Sequence, residues 1–288
     1  MGSTARRILV DGGRRAGVLS ALLLLLAQPP FGLFPLAFIS LVPLALAIAR
    51  QPEGPEGRWA STRVGMLFGA VFWGASLVWM PLVVGSSFAW ALPGYVLIVS
   101  ILTGLSGGFA WLTHVLFLGR AVPLGLALPL AWVAVEWMKA SVPWGLAFPW
   151  MGLALTLTEQ PEFLGIAEWV GEEGVAFWIA GVNGLVAGLL TEGRRPPSRL
   201  GWAGVAAAFL IPAAVGGIRS VTLALHEGPR LAVVGTQIPR ELRRQPAAAW
   251  GEAHRQIEAA LADVVPGSVD LVVLPEATLP FPPNNPAA

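Results

Sequence analysis

Glu276 stands where an enzyme would keep a base. It lies two residues beyond the apolar run Val269-Asp270-Leu271-Val272-Val273-Leu274 and is flanked by Pro275 and Pro280. Function in open α/β sheets collects at the carboxyl ends of strands. A carboxylate placed there can accept a proton once burial or neighbours tune it; a cap or loop contact is the plainer role for such a residue. A second pair, Glu136 and Lys139, lies three residues apart near the end of an apolar segment. That spacing puts the two on one helical face, where they can form an ion pair, or each can reach out to the membrane interface. The chain has no cysteine, which excludes disulfides and thiolate metal sites. Its three histidines, His114, His226 and His254, are far apart, so no metal or cofactor site is expected.

The elements that must position these groups divide the chain in two. Over 288 residues, 55% are hydrophobic and 12% charged, with a mean hydropathy of +0.68. A soluble domain carries about 25% charged residues, so most of this surface does not face water. Thirteen Trp against one Tyr, with 34 Gly and 25 Pro, also suit membrane helices. The net charge of +1 is dispersed and gives no footprint for nucleic acid. Seven apolar segments are candidate crossings: 16–28, 31–49, 63–84, 89–118, 121–140, 172–191 and 200–217. Basic residues sit in alternate loops: Arg6, Arg7, Arg14 and Arg15; then Arg50, Arg58 and Arg63; then Arg120; then Arg194, Arg195 and Arg199. Arg and Lys accumulate on the cytoplasmic side. The N-terminus is therefore expected inside, and seven crossings put everything after residue 218 outside. His114 and Asn183, each in an apolar helix, are expected to make interhelical hydrogen bonds.

The remainder reads differently. Residues 231–237 and 269–274 are short continuous apolar runs, the pattern of strands covered on both faces. Between them Trp250, Ala253, Ile257, Leu261 and Val264 recur at steps of three and four, an amphipathic helix from near Pro246 to before Pro266-Gly267. Strand, helix, strand predicts a βαβ unit with parallel strands. The expected fold is a polytopic α-helical membrane domain of about seven helices over 1–218, followed over 229–288 by the start of an α/β domain.

This layout resembles apolipoprotein N-acyltransferase, the membrane-anchored branch of the nitrilase (carbon–nitrogen hydrolase) superfamily. The resemblance covers essentially the whole chain. It is carried by Pro29-Pro30-Phe31-Gly32 leading into Pro35-Leu36-Ala37-Phe38, and by Trp132-Val133-Ala134-Val135-Glu136-Trp137 with Gly145 and Phe148-Pro149-Trp150. The stretch from Gly174 to Asn183 and Val233-Val234-Gly235-Thr236-Gln237-Ile238-Pro239 continue it, and Leu274-Pro275-Glu276-Ala277-Thr278-Leu279-Pro280 closes it.

The resemblance implies a bacterial inner-membrane enzyme with a Glu-Lys-Cys triad on the outer face and no cofactor. Its Cys takes an acyl chain from a phospholipid as a thioester. The α-amino group of the diacylglyceryl-cysteine of an apolipoprotein then receives the chain. Glu276 matches the triad Glu, as general base. The triad Cys and Lys have no match, because the chain holds no Cys and its single Lys is Lys139. Arg244 occupies a place where the family often has Trp. The expectation is a C-terminally truncated acyltransferase, or one piece of a split enzyme completed by a separate chain, inactive alone. The aromatic stretch 143–150 is either an ordinary interfacial belt or a lip that admits a lipid acyl chain. Two other classes compete. One is a non-enzymatic membrane anchor or a module that binds lipid or a partner. The other is a small transporter, for which internal repeats and midplane charges are not evident.

Overall fold

The computed structural model describes residues 3–83, 88–141, 147–191, 198–224, 226–239, 241–242 and 245–274, and the side chains among these except 3–10, 83, 88–90 and 246. The described residues divide into two compact units, one up to Leu223 and one from Ala224 onward.

The first unit is helical. Helix α1 spans Ser3–Ala27, and a 3-10 turn at Phe34–Phe38 leads into α2, Val42–Ala49. Then come α3, Pro55–Ser76; α4, Met80–Val83; α5, Phe88–His114; and α6, Leu124–Ser141. A 3-10 turn at Leu153–Leu157 precedes α7, Pro161–Leu164; α8, Ala167–Thr191; and α9, Arg199–Thr222. Among the described residues four helical stretches are long and apolar enough to cross a membrane: Pro55–Leu82, Ala91–Gly119, Ala167–Thr191 and Arg199–Thr222. Along α9 residues such as Leu200, Leu210, Ile211 and Val221 are exposed, as lipid-facing side chains are when hydrocarbon is the solvent.

Expected as one segment, 31–49 is instead broken into two short pieces, because Pro35 and Pro43 each open a new helical start. The backbone groups freed at the break are satisfied by side chains. Asn183 Oδ1 accepts from Leu41 N at 2.8 Å, and its Nδ2 donates to Ala37 O at 2.9 Å and to Ile179 O at 2.8 Å. Ser20 Oγ accepts from Leu44 N at 2.9 Å. Broken helices are tolerated at membrane depth where protein supplies such partners. Asn183→Leu strands the Leu41 N–H in an apolar interior, while the Ala37 carbonyl keeps its bond from Ser40 Oγ. We expect a loss of about 2 kcal/mol, readable as a lowered midpoint of thermal unfolding in detergent micelles. His114 makes its expected interhelical contact, with Nδ1 3.0 Å from Ser61 Oγ.

Side-chain contacts define two ends of this bundle. At one, a Cβ on Gly13 would meet Val64, Ser61 meets His114, Gly188 approaches Leu124 and Gly201 approaches Leu189. Arg14, Arg15, Arg58, Arg63, Arg120 and Arg199 are all in or next to the segments that meet here. At the other end Gln28 reaches Gly152, Lys139 reaches Trp150, Gly165 lies against Gly216, and Glu168 pairs with Arg219. Helix α9 therefore finishes, with Arg219 in its last turn, at the end opposite those six arginines.

The second unit holds β1, Leu231–Val233; α10, Pro246–Ala262; and β2, Leu271–Val273. The strands pair in parallel, with Leu231 opposite Leu271 and Val233 opposite Val273. A parallel pair requires a crossover, and α10 supplies it, burying Ala253 and Ile257. Both strands are shorter than the apolar runs predicted them to be. Nor are they covered on both faces: Val233 is 75% exposed and Leu271 55%. A single helix cannot enclose both faces of a sheet. Polar bonds fix the edges of the unit. Gln256 donates to Gln237 O and accepts from Gln237 N. Arg230 holds the exposed Asp270 carboxyl below its ordinary range, through a side-chain bond and its own backbone N–H. A depressed carboxyl stabilises the fold above its unfolded pKa, and this contact is lost as pH falls through the folded value.

Candidate functional site

Along α6, Trp132, Glu136 and Lys139 fall at steps of four and three, so they share one face. That face looks onto α3 and α5. Phe68, Phe72 and Trp73 of α3, Leu102 and Phe109 of α5, and Trp132 wall a pocket of about 420 Å³, open space at its mouth included. Its polar groups are few: Ser106, Glu136 and Lys139, with Met151 completing the lining. The aromatic rings interlock. Phe68 stacks on Phe72, and Phe109 meets Trp132 edge to face at 5.0 Å. Trp73 Nε1 donates to Ser106 Oγ at 3.1 Å, and Ser106 in turn donates to Leu102 O at 2.9 Å. The Trp132 indole nitrogen is buried near Glu136 without a hydrogen bond of normal geometry.

Glu136 and Lys139 do not form the ion pair that their spacing suggested; each is taken up by backbone instead. Lys139 Nζ donates to Trp150 O at 2.8 Å and sits 5.1 Å from the centre of the Trp73 ring. Glu136 Oε1 accepts from Leu153 N at 2.7 Å. Two more bonds hold the same short stretch: Phe148 N donates to Lys139 O at 2.9 Å, and Gln28 Nε2 donates to Gly152 O at 3.1 Å. Lys139 is 6% exposed. Inside the bundle its ammonium is held by a carbonyl and a ring face. Glu172 comes close as well: a Cβ on Gly152 would lie 2.4 Å from Glu172 Oε1, the far end of an exposed side chain. Glu172 is brought close by a break in α8 at Gly171, whose φ of 68° suits glycine.

Of the residues singled out in sequence, Glu136, Lys139, Phe148 and Trp150 are thus brought to one place. Residues 143–146, Arg244 and Glu276 lie outside the described residues. Sequence reasoning did not find Gln28, Trp73, Ser106 or Met151. Gln28 carried a signal, as a polar residue closing an apolar helix just before Pro29-Pro30. For Trp73 and Ser106 no local pattern distinguishes them from other residues of apolar helices.

A polytopic helical domain with a buried polar cluster at one end, joined to a βαβ unit, defines the class as an integral membrane protein carrying an α/β extension. The sequence profile described as the apolipoprotein N-acyltransferase N-terminal domain matches residues 20–185, more than half of the chain, and the chain belongs to that family. It is 30% identical over 298 residues to an apolipoprotein N-acyltransferase of Sinorhizobium medicae, covering 96% of this chain and 54% of the relative. A second, from Rhizobium rhizogenes, is 28% identical over 299 residues, covering 95% and 54%. One from Geobacter metallireducens is 32% identical over 172 residues, covering 58% and 31%. The chain spans about half the length, at most, of these curated relatives.

Proposed function

We propose that this chain is the membrane domain and the first part of the catalytic domain of an enzyme that N-acylates lipoproteins. The observation that carries the reading is that the matched profile covers every residue of the buried cluster, from Gln28 to Glu172. In the proposed reaction a Cys thiolate attacks an ester carbonyl of a phospholipid. The ester bond breaks, a thioester forms, and the glycerol oxygen leaves as a hydroxyl. The α-amino group of a diacylglyceryl-cysteine then attacks the thioester, giving an amide and returning the thiol. Splitting the transfer replaces one hard step with two easier ones. Glu276 is the base that takes the thiol proton and later relays the amine proton. A Lys would stabilise the tetrahedral oxyanion.

The 288 residues contain neither that Cys nor a Lys beyond Lys139. We therefore infer that they do not catalyse transfer alone. The site is placed at the outer face of the cytoplasmic membrane. What supports this is the bundle itself: six arginines, Arg14, Arg15, Arg58, Arg63, Arg120 and Arg199, are in or next to the segments that meet at one end, against Arg219 and the buried Lys139 at the other. In this reading 31–49 crosses as a broken helix, completing seven crossings, and residues 229–288 begin a nitrilase-like domain outside. The aromatic stretch at Phe148 and Trp150 is the lip that admits an acyl chain, over a pocket whose lining is almost wholly hydrocarbon.

A second reading, a non-enzymatic anchor or a module completed by a separate chain, is favoured by one observation: the apolar strands of the second unit are bare. Exposed apolar faces mark sites that a partner covers. Acyl transfer in proteoliposomes separates the two readings, since only the first predicts that the chain, once continued by a Lys- and Cys-bearing segment, turns over.

A further inference from the structure

Met151 is held at φ 58°, a left-handed conformation that L residues rarely adopt. It lines the pocket. Such strain persists only where the surroundings over-determine it. Here they do: Phe148 N, Trp150 O, Gly152 O and Leu153 N are all engaged, by Lys139 O, Lys139 Nζ, Gln28 Nε2 and Glu136 Oε1 respectively. Three of these four bonds come from two residues of α6, and the fourth from the end of α1. The residues that wall the pocket are thus also the ones that tie down the strap beside it.

We propose that Glu136 and Lys139 are positioning residues that latch the 147–153 strap, setting Met151 as a plug in the pocket between α3, α5 and α6. Phe148 is almost fully buried and meets Trp73 edge to face, whereas Trp150 is largely exposed. The strap is therefore anchored on its inner side and free on its outer side. Releasing the latch lets Met151 relax out of its left-handed state and opens the pocket to a hydrocarbon chain. Lys139 does this through Trp150 O and the Trp73 ring; Glu136 does it through Leu153 N. That the natural entrant is a lipid tail rests on the proposed function. The latch itself does not.

The absence of cysteine from these 288 residues gives a clean test. Leu105→Cys places a thiol in the pocket wall on α5, away from the strap. Leu210→Cys places one on the exposed face of α9 as a control. The rate of modification by N-dodecylmaleimide is measured on the purified chain in detergent micelles. With Lys139→Met, modification at position 105 is expected to rise about tenfold or more, with little change at position 210. Lys139→Arg keeps a donor for Trp150 O and a cation over Trp73, and is expected to restore the slow rate. Met151→Gly leaves every latch bond in place while removing the plug, and is expected to raise the rate at position 105 on its own. An unchanged rate at position 105 in both Lys139→Met and Met151→Gly overturns the proposal. So does an equal rise at both positions, which would make the pair a general support of the bundle. No outcome depends on acyl transfer, so failure of the latch and failure of the acyltransferase reading are distinguishable.

Discussion

Gly65→Val is expected to cost the helical unit about 3 kcal/mol or more, enough to consume much of the stability of an ordinary domain. Helices α3 and α5 are the most extensively packed pair in the bundle, and they approach through small residues. A Cβ on Gly65 would lie 2.4 Å from Ala110 Cβ and 2.6 Å from the Ser106 carbonyl oxygen; one on Gly69 would lie 2.6 Å from Ser106 Cβ. On the facing helix a Cβ on Gly107 would lie 2.7 Å from Met66 Cγ and 3.3 Å from Thr62 Cγ2. The obstacle at Gly65 includes backbone, which cannot rotate away, so the helices must separate. Small residues four apart are how membrane helices gain van der Waals contact when the solvent is itself hydrocarbon. Separation would also part Trp73 from Ser106 and widen the pocket. The matching controls are Gly104→Ala and Gly108→Ala on α5, where nothing lies within 4 Å of a new Cβ. Both are expected to be neutral or to stabilise slightly, by up to about 1 kcal/mol, since alanine is the better helix former. Unfolding in mixed micelles, followed by circular dichroism, reads the contrast.

Glu276→Gln is the second. In the chain continued through a Cys- and Lys-bearing segment, this substitution is expected to lower the rate of acyl transfer about 10³-fold, because an amide cannot accept the thiol proton. The lesion falls on kcat. The affinity for phospholipid is expected to hold, since in the proposed mechanism that affinity resides in the membrane pocket, which the substitution does not touch. A variant that kept full activity would remove Glu276 from the chemistry.

Much of the helical unit was legible because hydropathy is a one-dimensional signal and lipid reads it in the same way. The expected segments at 63–84, 89–118, 172–191 and 200–217 each lie largely in helices found long enough to cross. The broken stretch at 34–49 was less legible. Pro35 and Pro43 advertise a break, but what makes one tolerable is Asn183, more than a hundred residues away in sequence. The Glu136–Lys139 spacing allowed an ion pair or a reach to the interface, and the structure shows two backbone bonds instead. Sequence spacing reports which side chains share a face, not which backbone carbonyl arrives from the next segment to compete for them. Met151 could not have been foreseen at all: no residue type signals a left-handed methionine. In the second unit the parallel pair and its helix were legible from periodicity. The burial of the strands was misjudged, because an apolar run records what a strand is suited to, and these residues cover only part of it.

We propose that this chain is part of an acyl-transfer enzyme whose nucleophile is not among these 288 residues. The most direct measurement is transfer of a labelled acyl chain from phospholipid to a diacylglyceryl-cysteine peptide in proteoliposomes. It compares the 288-residue chain with the product of the same reading frame continued downstream. No transfer by the 288 residues and turnover by the continued chain are expected. Transfer by the 288 residues alone, or none by a folded continued chain bearing Cys and Lys, would contradict the proposal.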